Sequence, residues 1–232
     1  GRWVISDPEI AMKLNVDQKT TLPVSIKERI DLFCNHIELY QNKDLARKFK
    51  NTIIEIIDED IKEICLVSYH KLLTYKDEYE VARLHSSVIK DKISSQFSEF
   101  KKITFHLAPP LISKIGQDGR PIKREFGQWI LVLFKMLASL KFLRNTAFDP
   151  FGYSNDRKLE RSLIVKFEQD MKDFLFDLNG TNKSLIKELL TLPQNVKGFG
   201  PVKEAAIKAV LRRRKELIIE IRSNSITKVA AE

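Results

Sequence analysis

Apolar residues recur at three- and four-residue intervals along most of this chain, and this spacing predicts a mostly α-helical protein. The first clear helix follows Ser25-Ile-Lys-Glu28, a capping box in which the serine and the glutamate satisfy each other's free backbone donors. It is expected to end near Tyr40. Its buried side is predicted to carry Ile30, Leu32, Phe33, Ile37 and Leu39. A second helical pattern runs from Asp44 to Ile64 and is expected to break at the acidic cluster 58–60.

Further helices are predicted where the same spacing lies between cap and turn residues. Asp7-Pro8 places a cap residue before a proline at the first helical position, and Asn179-Gly180 is a typical helix stop. The predicted helices in these regions cover about 7–14, 126–144, 155–178, 183–192 and 200–222. The expected organisation is an N-terminal segment or linker from a preceding domain at 1–24, a helical domain at 25–222 and a flexible tail at 223–232.

A non-helical segment interrupts these helices between residues 86 and 124. Phe100 to Leu107 has a strand-like composition, and Ala108-Pro109-Pro110 favours an extended backbone. Asp118-Gly119 is a turn signal between two short apolar pieces. Since the chain has only eight glycines and eight prolines, the predicted fold is mostly α, an irregular multi-helix bundle with a small β-hairpin or extended arm around residues 100–126.

The stretch from Tyr69 to Arg83 mixes tyrosines and charged side chains in a pattern that predicts one continuous helix. Residues that recur along one stripe of this helix are Tyr69, Leu72, Leu73, Lys76, Tyr79, Glu80 and Arg83. Glu80 lies one turn from both Lys76 and Arg83, so it can pair with either. We interpret the stripe either as a charged helix packed within its own domain or as a docking surface for another protein surface.

The excess of basic residues bears on the choice of partner. The chain has 40 basic and 31 acidic side chains, and its net charge of +9 fits nucleic acid, an anionic cofactor or an acidic protein face. Cys34 and Cys65 are the only cysteines, and both are expected to be buried free thiols in a cytoplasmic protein. The most apolar window, Trp129 to Leu143, is interrupted by lysines and is too short to span a bilayer.

Few motifs in the chain point to catalysis. Neither E-x-x-H nor H-E-x-x-H occurs, so no metal site is predicted. His106 is the strongest candidate for a reactive side chain, and an independent enzyme built on it is one hypothesis. A histidine packed in the arm and hydrogen-bonded to backbone is the favoured interpretation.

The segment Gly198-Phe-Gly-Pro-Val-Lys203 is a candidate anion-binding turn. Gly198 and Gly200 lead into a helix N-terminus with free backbone donors, and Lys203 lies in the first turn. A tight interhelical turn is the favoured interpretation. The segment also resembles a helix-hairpin-helix module, and with the basic run 212–215 it gives the alternative function of binding nucleic acid. A solvated basic face is the simpler explanation of that run.

Several multi-residue blocks, in order along the chain, carry a resemblance to a known family. The blocks are Tyr75-Lys-Asp-Glu-Tyr-Glu-Val-Ala-Arg-Leu84, Phe105-His-Leu-Ala-Pro-Pro110, Lys123-Arg-Glu-Phe-Gly127, Leu143-Arg-Asn-Thr-Ala-Phe-Asp-Pro-Phe-Gly-Tyr153 and Gly198-Phe-Gly-Pro-Val-Lys203. Together they resemble the C-terminal domain, a domain of unknown function, of the long, fused indolepyruvate:ferredoxin oxidoreductases. The resemblance is strongest from Tyr69 to Arg214.

The resemblance implies a part of an enzyme that oxidatively decarboxylates aryl 2-oxo acids to acyl-CoA and reduces ferredoxin. Thiamine diphosphate, an iron–sulfur cluster and coenzyme A are implied for the full-length enzyme. This segment lacks the thiamine signature Gly-Asp-Gly, because Gln117 precedes Asp118-Gly119, and it lacks cluster cysteines. We therefore expect a non-catalytic domain that is inactive alone and has no cofactor of its own.

The implied partners are the cofactor-bearing domains of the same polypeptide, a second copy in a homodimer of the full enzyme, and ferredoxin. A membrane is not expected, and nucleic acid is the less favoured partner. The candidate docking or ligand surface comprises Tyr75, Lys76, Tyr79, Glu80, Arg83, His106, Arg124, Asp149 and Tyr153. The candidate anion turn comprises Gly198, Gly200 and Lys203.

Overall fold

The structure is a computed structural model. The described residues are 25–88, 104–108, 116, 122–175, 178, 182–198 and 200–229. The helix predicted at 7–14, the Asp118-Gly119 turn and the Asn179-Gly180 stop lie outside them.

The described residues are mostly helical, as the hydrophobic spacing predicted. The α-helices are α1 Ile26–Tyr40, α2 Lys43–Ile54, α3 Glu59–Leu73, α4 Glu78–Arg83, α5 Ile130–Ser139, α6 Asn155–Phe174, α7 Lys183–Thr191 and α8 Pro201–Val229. A π-helical turn, Leu84–Val88, follows α4, and 3-10 turns at Leu140–Leu143 and Leu192–Asn195 follow α5 and α7. The strands β1 Phe105–Leu107 and β2 Arg124–Phe126 form one antiparallel pair.

Local capping chemistry sets the starts of the N-terminal helices. The predicted capping box is present, because the Glu28 amide donates to Ser25 Oγ and the Ser25 amide donates to the Glu28 carboxylate, each at 3.2 Å. The predicted break at the acidic cluster is also confirmed. Asp58 caps α3 there, and its carboxylate accepts from the Ile61 amide at 3.1 Å.

The main core lies between α1, α2, α3, α6, α7 and α8. Side chains with no exposed surface in this core are Ile37, Phe49, Ile53, Ile61, Cys65, Leu66, Tyr69, Ile186, Leu190 and Leu217. Ile30 and Ile37 point into it, whereas Leu32 and Leu39, which were predicted to be buried, are more than half exposed. Each lies two positions, or about 200° of helical rotation, beyond a buried isoleucine, and therefore on the far side of α1.

The predicted continuous helix from Tyr69 to Arg83 is wrong. Helix α3 ends at Leu73, and α4 begins at Glu78 after Asp77, which has an extended backbone and accepts the Glu80 amide at 2.9 Å. The N-cap of Asp77 therefore starts a new helix, and the two ends of the stripe belong to different helices.

A second, smaller core lies beneath the β-ribbon. It consists of Ala82, Phe105, Ile130 and Phe134, and it joins α4, β1 and α5. The ribbon pairs Phe105 with Phe126, and this antiparallel pair confirms a small β element within residues 100–126. The partner of 124–126 is 105–107 rather than the apolar piece just before Asp118-Gly119. Helix α5 begins at Ile130, later than the predicted start near Phe126. Across the described residues, no helix combines the length and the apolar character needed to cross a bilayer.

Helix α8 continues to Val229, beyond the predicted end near Arg222 and into the segment expected to be a flexible tail. Leu217 and Ile221 are buried, and the Asn182 amide group donates to Ser225 Oγ at 3.0 Å. Core packing and this contact with the N-cap residue of α7 hold α8 in place as far as Ser225.

We predict that Ile53→Ala lowers the free energy of unfolding by about 2–5 kcal/mol, because it removes a fully buried side chain from the main core. Ile54→Ala is the matched control. The Ile54 side chain is 55% exposed, so its truncation is expected to change the free energy of unfolding by less than about 1 kcal/mol. Urea unfolding measures both. Equal losses in the two variants would contradict this assignment of the core.

Candidate functional site

A buried ion pair between Arg144 and Asp77 lies at the centre of the polar residues. Arg144 is 4% exposed and Asp77 is 3% exposed. The guanidinium donates Nε to Asp77 Oδ2 at 2.5 Å and Nη2 to Asp77 Oδ1 at 2.9 Å. Its Nη1 donates to the Tyr40 carbonyl and to Gln41 Oε1, both at 2.6 Å. This bidentate, fully hydrogen-bonded geometry is the form in which a buried charge pair is tolerated.

Tyrosines enclose this ion pair. The guanidinium carbon of Arg144 lies 3.7 Å from the centre of the Tyr40 ring and 5.5 Å from that of Tyr79. Burial is the main cause that raises the pKa of the Tyr40 phenol, so the group stays protonated and donates to the Tyr75 carbonyl at 3.1 Å. Tyr40 of α1 and Tyr79 of the predicted stripe thus pack against a buried cation. Tyr69, the other tyrosine of the stripe, lies in the main core and donates to Glu168 Oε1 at 2.5 Å.

The loop from Arg144 to Ser154, called the braced loop below, is organised by the buried carboxylate of Asp149. Its Oδ1 accepts from the Tyr79 hydroxyl at 3.0 Å and from the Phe151 amide at 3.1 Å. Its Oδ2 accepts from the Asn145 amide at 3.2 Å, and Asn145 has a φ of +65°. A Cβ on Gly152 would lie 2.8 Å from Asp149 Oδ2, which explains the glycine at that position. The loop is therefore fixed from within.

Two aromatic side chains of the braced loop face solvent. Phe148 is 81% exposed and Tyr153 is 62% exposed. The Phe148 amide donates to Thr146 Oγ1 at 3.2 Å, and the Tyr153 hydroxyl donates to the Ala147 carbonyl at 2.7 Å. The backbone that carries these rings is hydrogen-bonded, so the rings extend from a well-defined base.

A second polar cluster joins α1, α3 and α4 through His36, His70 and Glu80. His36 Nδ1 lies 2.8 Å from His70 Nε2, and His36 Nε2 lies 3.6 Å from Glu80 Oε1. Arg83 donates Nε and Nη2 to the two Glu80 oxygens at 2.8 and 2.7 Å. Glu80 therefore pairs with Arg83, as predicted, and with His36. Lys76, the other predicted partner, is exposed in the link before α4 and makes no hydrogen bond or ion pair with Glu80 in the structure.

The pKa values in this cluster follow from burial and charge. Burial acts to raise the pKa of Glu80, but the hydrogen bonds from Arg83 and His36 outweigh it and lower the pKa to about 2. Burial, together with the nearby His36, lowers the pKa of His70 to about 4. His70 also stacks on Phe33 with ring centres 3.9 Å apart. Near neutral pH the cluster therefore contains an ionised Glu80 and a neutral His70.

His106 and Arg124 lie on the β-ribbon and take no part in these hydrogen bonds. His106 is exposed and pairs across the strands with Glu125, with Nδ1 3.9 Å from Oε1. Arg124 pairs with Leu107, so it lies on the opposite face of the ribbon from His106. The structure does not bring these two predicted residues together with the others.

The glycine turn before α8 has the geometry of a tight connection. Gly198 and Gly200 have φ values of +95° and +54°, and a Cβ on Gly198 would lie 2.9 Å from Val202 Cγ1. Lys203 Nζ pairs with the buried carboxylate of Glu160. The lysine of the candidate anion turn is therefore occupied by a carboxylate of α6.

Two cations of the basic run on α8 are also engaged within the chain. Arg213 donates to the Glu188 carboxylate at 2.7 and 3.0 Å. Arg214 donates to the Asp170 carboxylate at 2.8 and 2.6 Å. These guanidinium groups hold α8 to α7 and α6, so they contribute to packing rather than forming a free basic face.

The Arg144–Asp77 ion pair with its tyrosines, the Asp149 contacts and the cluster of His36, His70 and Glu80 are together called the polar network below. The sequence-based candidates that lie in this network are Tyr75, Tyr79, Glu80, Arg83 and Asp149. Sequence reasoning missed Asp77, Arg144, His36, His70 and Phe148. Asp77-Glu78-Tyr79-Glu80 has the spacing of a helix N-cap, and this signal could have located the break before α4. No local signal identifies Arg144 as the partner of Asp77, which lies 67 residues away.

Comparison with known proteins gives one finding. A family model described as a family of unknown function, DUF6537, matches residues 26–216. No curated protein and no solved structure matches the chain.

Within the described ranges, no group of three or more His, Cys, Asp or Glu side chains is arranged to hold a metal ion.

We predict that Arg144→Met lowers the free energy of unfolding by about 3–5 kcal/mol, because it leaves the Asp77 carboxylate buried without a counter-charge. Arg47→Met is the control. Arg47 forms a 2.8 Å pair with Asp44 in which both side chains are more than 70% exposed, so little change is expected. Urea unfolding at neutral pH measures both variants. A similar free energy of unfolding for the two would refute the prediction that the fold depends on the Arg144–Asp77 ion pair.

We predict that stability falls as the pH drops from about 6.5 to about 4, partly through His70. The unfolded chain binds a proton at this histidine in that window and the folded chain does not, so each pH unit costs up to about 1.4 kcal/mol. In His70→Gln this part of the pH dependence is absent, whereas exposed His106→Gln keeps it. Unfolding curves across the window test the idea, and identical slopes in all three proteins would be evidence against it.

Proposed function

We propose that this chain, which belongs to the family of unknown function DUF6537, is a non-catalytic helical docking domain. The observation that carries the proposal is the braced loop, in which buried polar side chains fix a surface segment that presents Phe148 and Tyr153 to solvent. We take these two rings as the contact points with a partner.

The energetics of the braced loop favour a binding role over a purely structural one. Replacing a buried ion pair by apolar residues is often neutral or stabilising, so Arg144 and Asp77 are not the simplest way to stabilise a bundle. Such a pair does fix geometry. A loop that is ordered before binding loses less conformational entropy on association, and aromatic side chains are typical anchors of protein interfaces. Phe148 combines both properties, because it is an exposed aromatic side chain on a loop that is ordered before binding.

We further propose that the partner is the cofactor-bearing part of an indolepyruvate:ferredoxin oxidoreductase of which this chain is the C-terminal domain. The support is the resemblance of the sequence blocks. Two of them, 75–84 and 143–153, meet in the polar network through the Arg144–Asp77 and Tyr79–Asp149 contacts. In that enzyme the other domains would bind thiamine diphosphate, the iron–sulfur cluster and coenzyme A, and would convert aryl 2-oxo acids to acyl-CoA with reduction of ferredoxin.

The competing functions have less support. A nucleic-acid module would use the cations of the glycine turn and of the basic run, yet Lys203, Arg213 and Arg214 each pair with a carboxylate of the same chain, and only Arg212 and Lys215 of that run are exposed without an ion pair. An enzyme built on His106 would need a surrounding site, yet this imidazole is exposed on the ribbon with Glu125 as its charged neighbour.

We predict that Phe148→Ala in the complete oxidoreductase lowers assembly or 2-oxo-acid-dependent reduction of ferredoxin by about tenfold or more, the loss typical of an interface anchor. Ile57→Ala is the matched control, because Ile57 is 94% exposed in the link between α2 and α3, away from the braced loop. Activity assays and sedimentation of the purified enzyme measure both effects.

Circular dichroism and urea unfolding of the Phe148→Ala chain should match the parent, since an exposed ring adds little to the fold. Normal assembly and activity of a correctly folded Phe148→Ala enzyme would overturn the docking role. Lys76→Ala is a second surface probe. It should likewise lower assembly or activity of the complete enzyme while the fold of the chain is unchanged. Arg83→Ala is unsuitable, because it removes the charge partner of the buried Glu80.

A further inference from the structure

Lysine side chains from three parts of the chain lie together where α3 ends and α8 begins. Lys71 lies in the last turn of α3, and its ammonium donates to the Gln194 carbonyl at 2.7 Å. This bond holds the ammonium against the 3-10 turn Leu192–Asn195. Lys197 follows that turn, and Lys203 lies in the first turn of α8. The side chains of Lys71, Lys197 and Lys203 are called the lysine cluster below.

The lysine cluster carries more positive charge than its surroundings neutralise. Burial is the main cause that lowers the pKa of Lys71, and the charges of Lys197 and Lys203 lower it further. Within the described residues, Lys71 and Lys197 form no ion pair with a carboxylate. Lys203 pairs with one oxygen of Glu160, and Arg157 binds the other oxygen of the same buried carboxylate.

A count of the charges at this position gives the size of the imbalance. The cations are the lysine cluster and Arg157, and the carboxylates paired with them are Glu160 and Glu78. Four positive charges therefore share two negative charges, which leaves an excess of two positive charges.

Movement of side chains into solvent does not remove this repulsion. A fully exposed lysine turns its ammonium toward water, but Lys71 is partly buried, and its hydrogen bond to the Gln194 carbonyl fixes the ammonium. Repulsion between like charges grows as water is excluded from the space between them. An anion held among these ammonium groups replaces the repulsion with attraction.

We propose that the lysine cluster binds a phosphate group, either as inorganic phosphate or as a phosphate monoester. A phosphate monoester carries about 1.5 to 2 negative charges near neutral pH, which matches the excess of two positive charges, whereas one carboxylate supplies a single charge. Lysine binds phosphate as a point charge and needs no planar guanidinium. The Lys71 ammonium has three donors and uses one on Gln194, so two remain for the ligand.

The lysine cluster fits one phosphate rather than a nucleic-acid backbone. A backbone needs cations spaced along a track, yet Lys208 of α8 pairs with Glu204. Among the described residues, the next cation of α8 without an ion pair is Arg212, nine residues or about 13.5 Å beyond Lys203. The lysine cluster also lies outside the braced loop, so this proposal and the docking function can fail separately.

Calorimetric titration of the purified chain with inorganic phosphate, at about pH 8 and fixed ionic strength, tests the proposal. The wild type should show saturable binding to one site. Lys197→Gln should weaken it at least about tenfold, because a charge-assisted hydrogen bond is lost. Lys197 is exposed, so this variant keeps the fold. Lys208→Gln is the matched control and should bind like the wild type, since Lys208 has a 74% exposed side chain on α8.

Lys71→Gln is the second variant, and it should lose phosphate binding to at least the same extent. Urea unfolding shows whether it is folded. The fold should be retained, because the substitution removes a partly buried cation that other cations repel. Adenosine 5′-monophosphate distinguishes the two sources of the phosphate group. Tighter binding than inorganic phosphate identifies a monoester, and equal binding identifies the phosphate group alone.

Three outcomes would overturn the proposal. The first is the absence of saturable phosphate binding by the wild type, and the second is wild-type affinity in Lys197→Gln. The third is acetate that binds as tightly as phosphate, because the site would then not select a second negative charge. Duplex DNA is the remaining comparison. If it binds through Lys197 while inorganic phosphate does not bind, the lysine cluster belongs to a nucleic-acid surface and the proposal is refuted.

Discussion

The buried ion pair of Arg144 and Asp77 is the constraint on which the candidate site depends. Asp77 starts α4, and Arg144 begins the braced loop and also binds the last carbonyl of α1 through its Nη1. One guanidinium thereby fixes three separate chain segments relative to each other. Loss of either charge would leave the other buried without compensation, which is far costlier than losing an exposed pair. The geometry of the braced loop follows from this contact.

The two apolar cores and the polar network have different roles in the structure: the cores bury apolar surface, and the polar contacts fix orientation. The main core, with Phe49, Ile53 and Leu217, supplies most of the buried apolar surface. The smaller core beneath the ribbon holds α5 against α4. Between them, polar side chains fix the orientation of the braced loop. Hydrophobic packing is tolerant of direction, whereas a bidentate ion pair is not, so the exposed aromatic side chains are positioned by hydrogen bonds rather than by the cores.

Parts of the fold and of the candidate site were predictable because they rest on neighbours in sequence. The capping box at Ser25 and the break near Asp58 depend on contacts within one turn, and both predictions are confirmed. The continuous helix through Tyr75 was wrong because periodicity alone overlooked the N-cap of Asp77. Asp149 and Tyr153 were chosen as candidates, but nothing local indicates that the first is buried and the second exposed.

The sequence by itself determined the helical class, the small β element and the positions of most helix starts, because capping and side-chain periodicity act over three or four residues. Only the tertiary structure decided which charges meet. Glu80 pairs with His36 of α1, whereas Lys76 remains exposed to solvent. Arg144 pairs with Asp77, which lies 67 residues away in sequence. It also decided that Phe148 remains at the surface. Such choices depend on how segments distant in sequence pack, and local spacing contains no information about that.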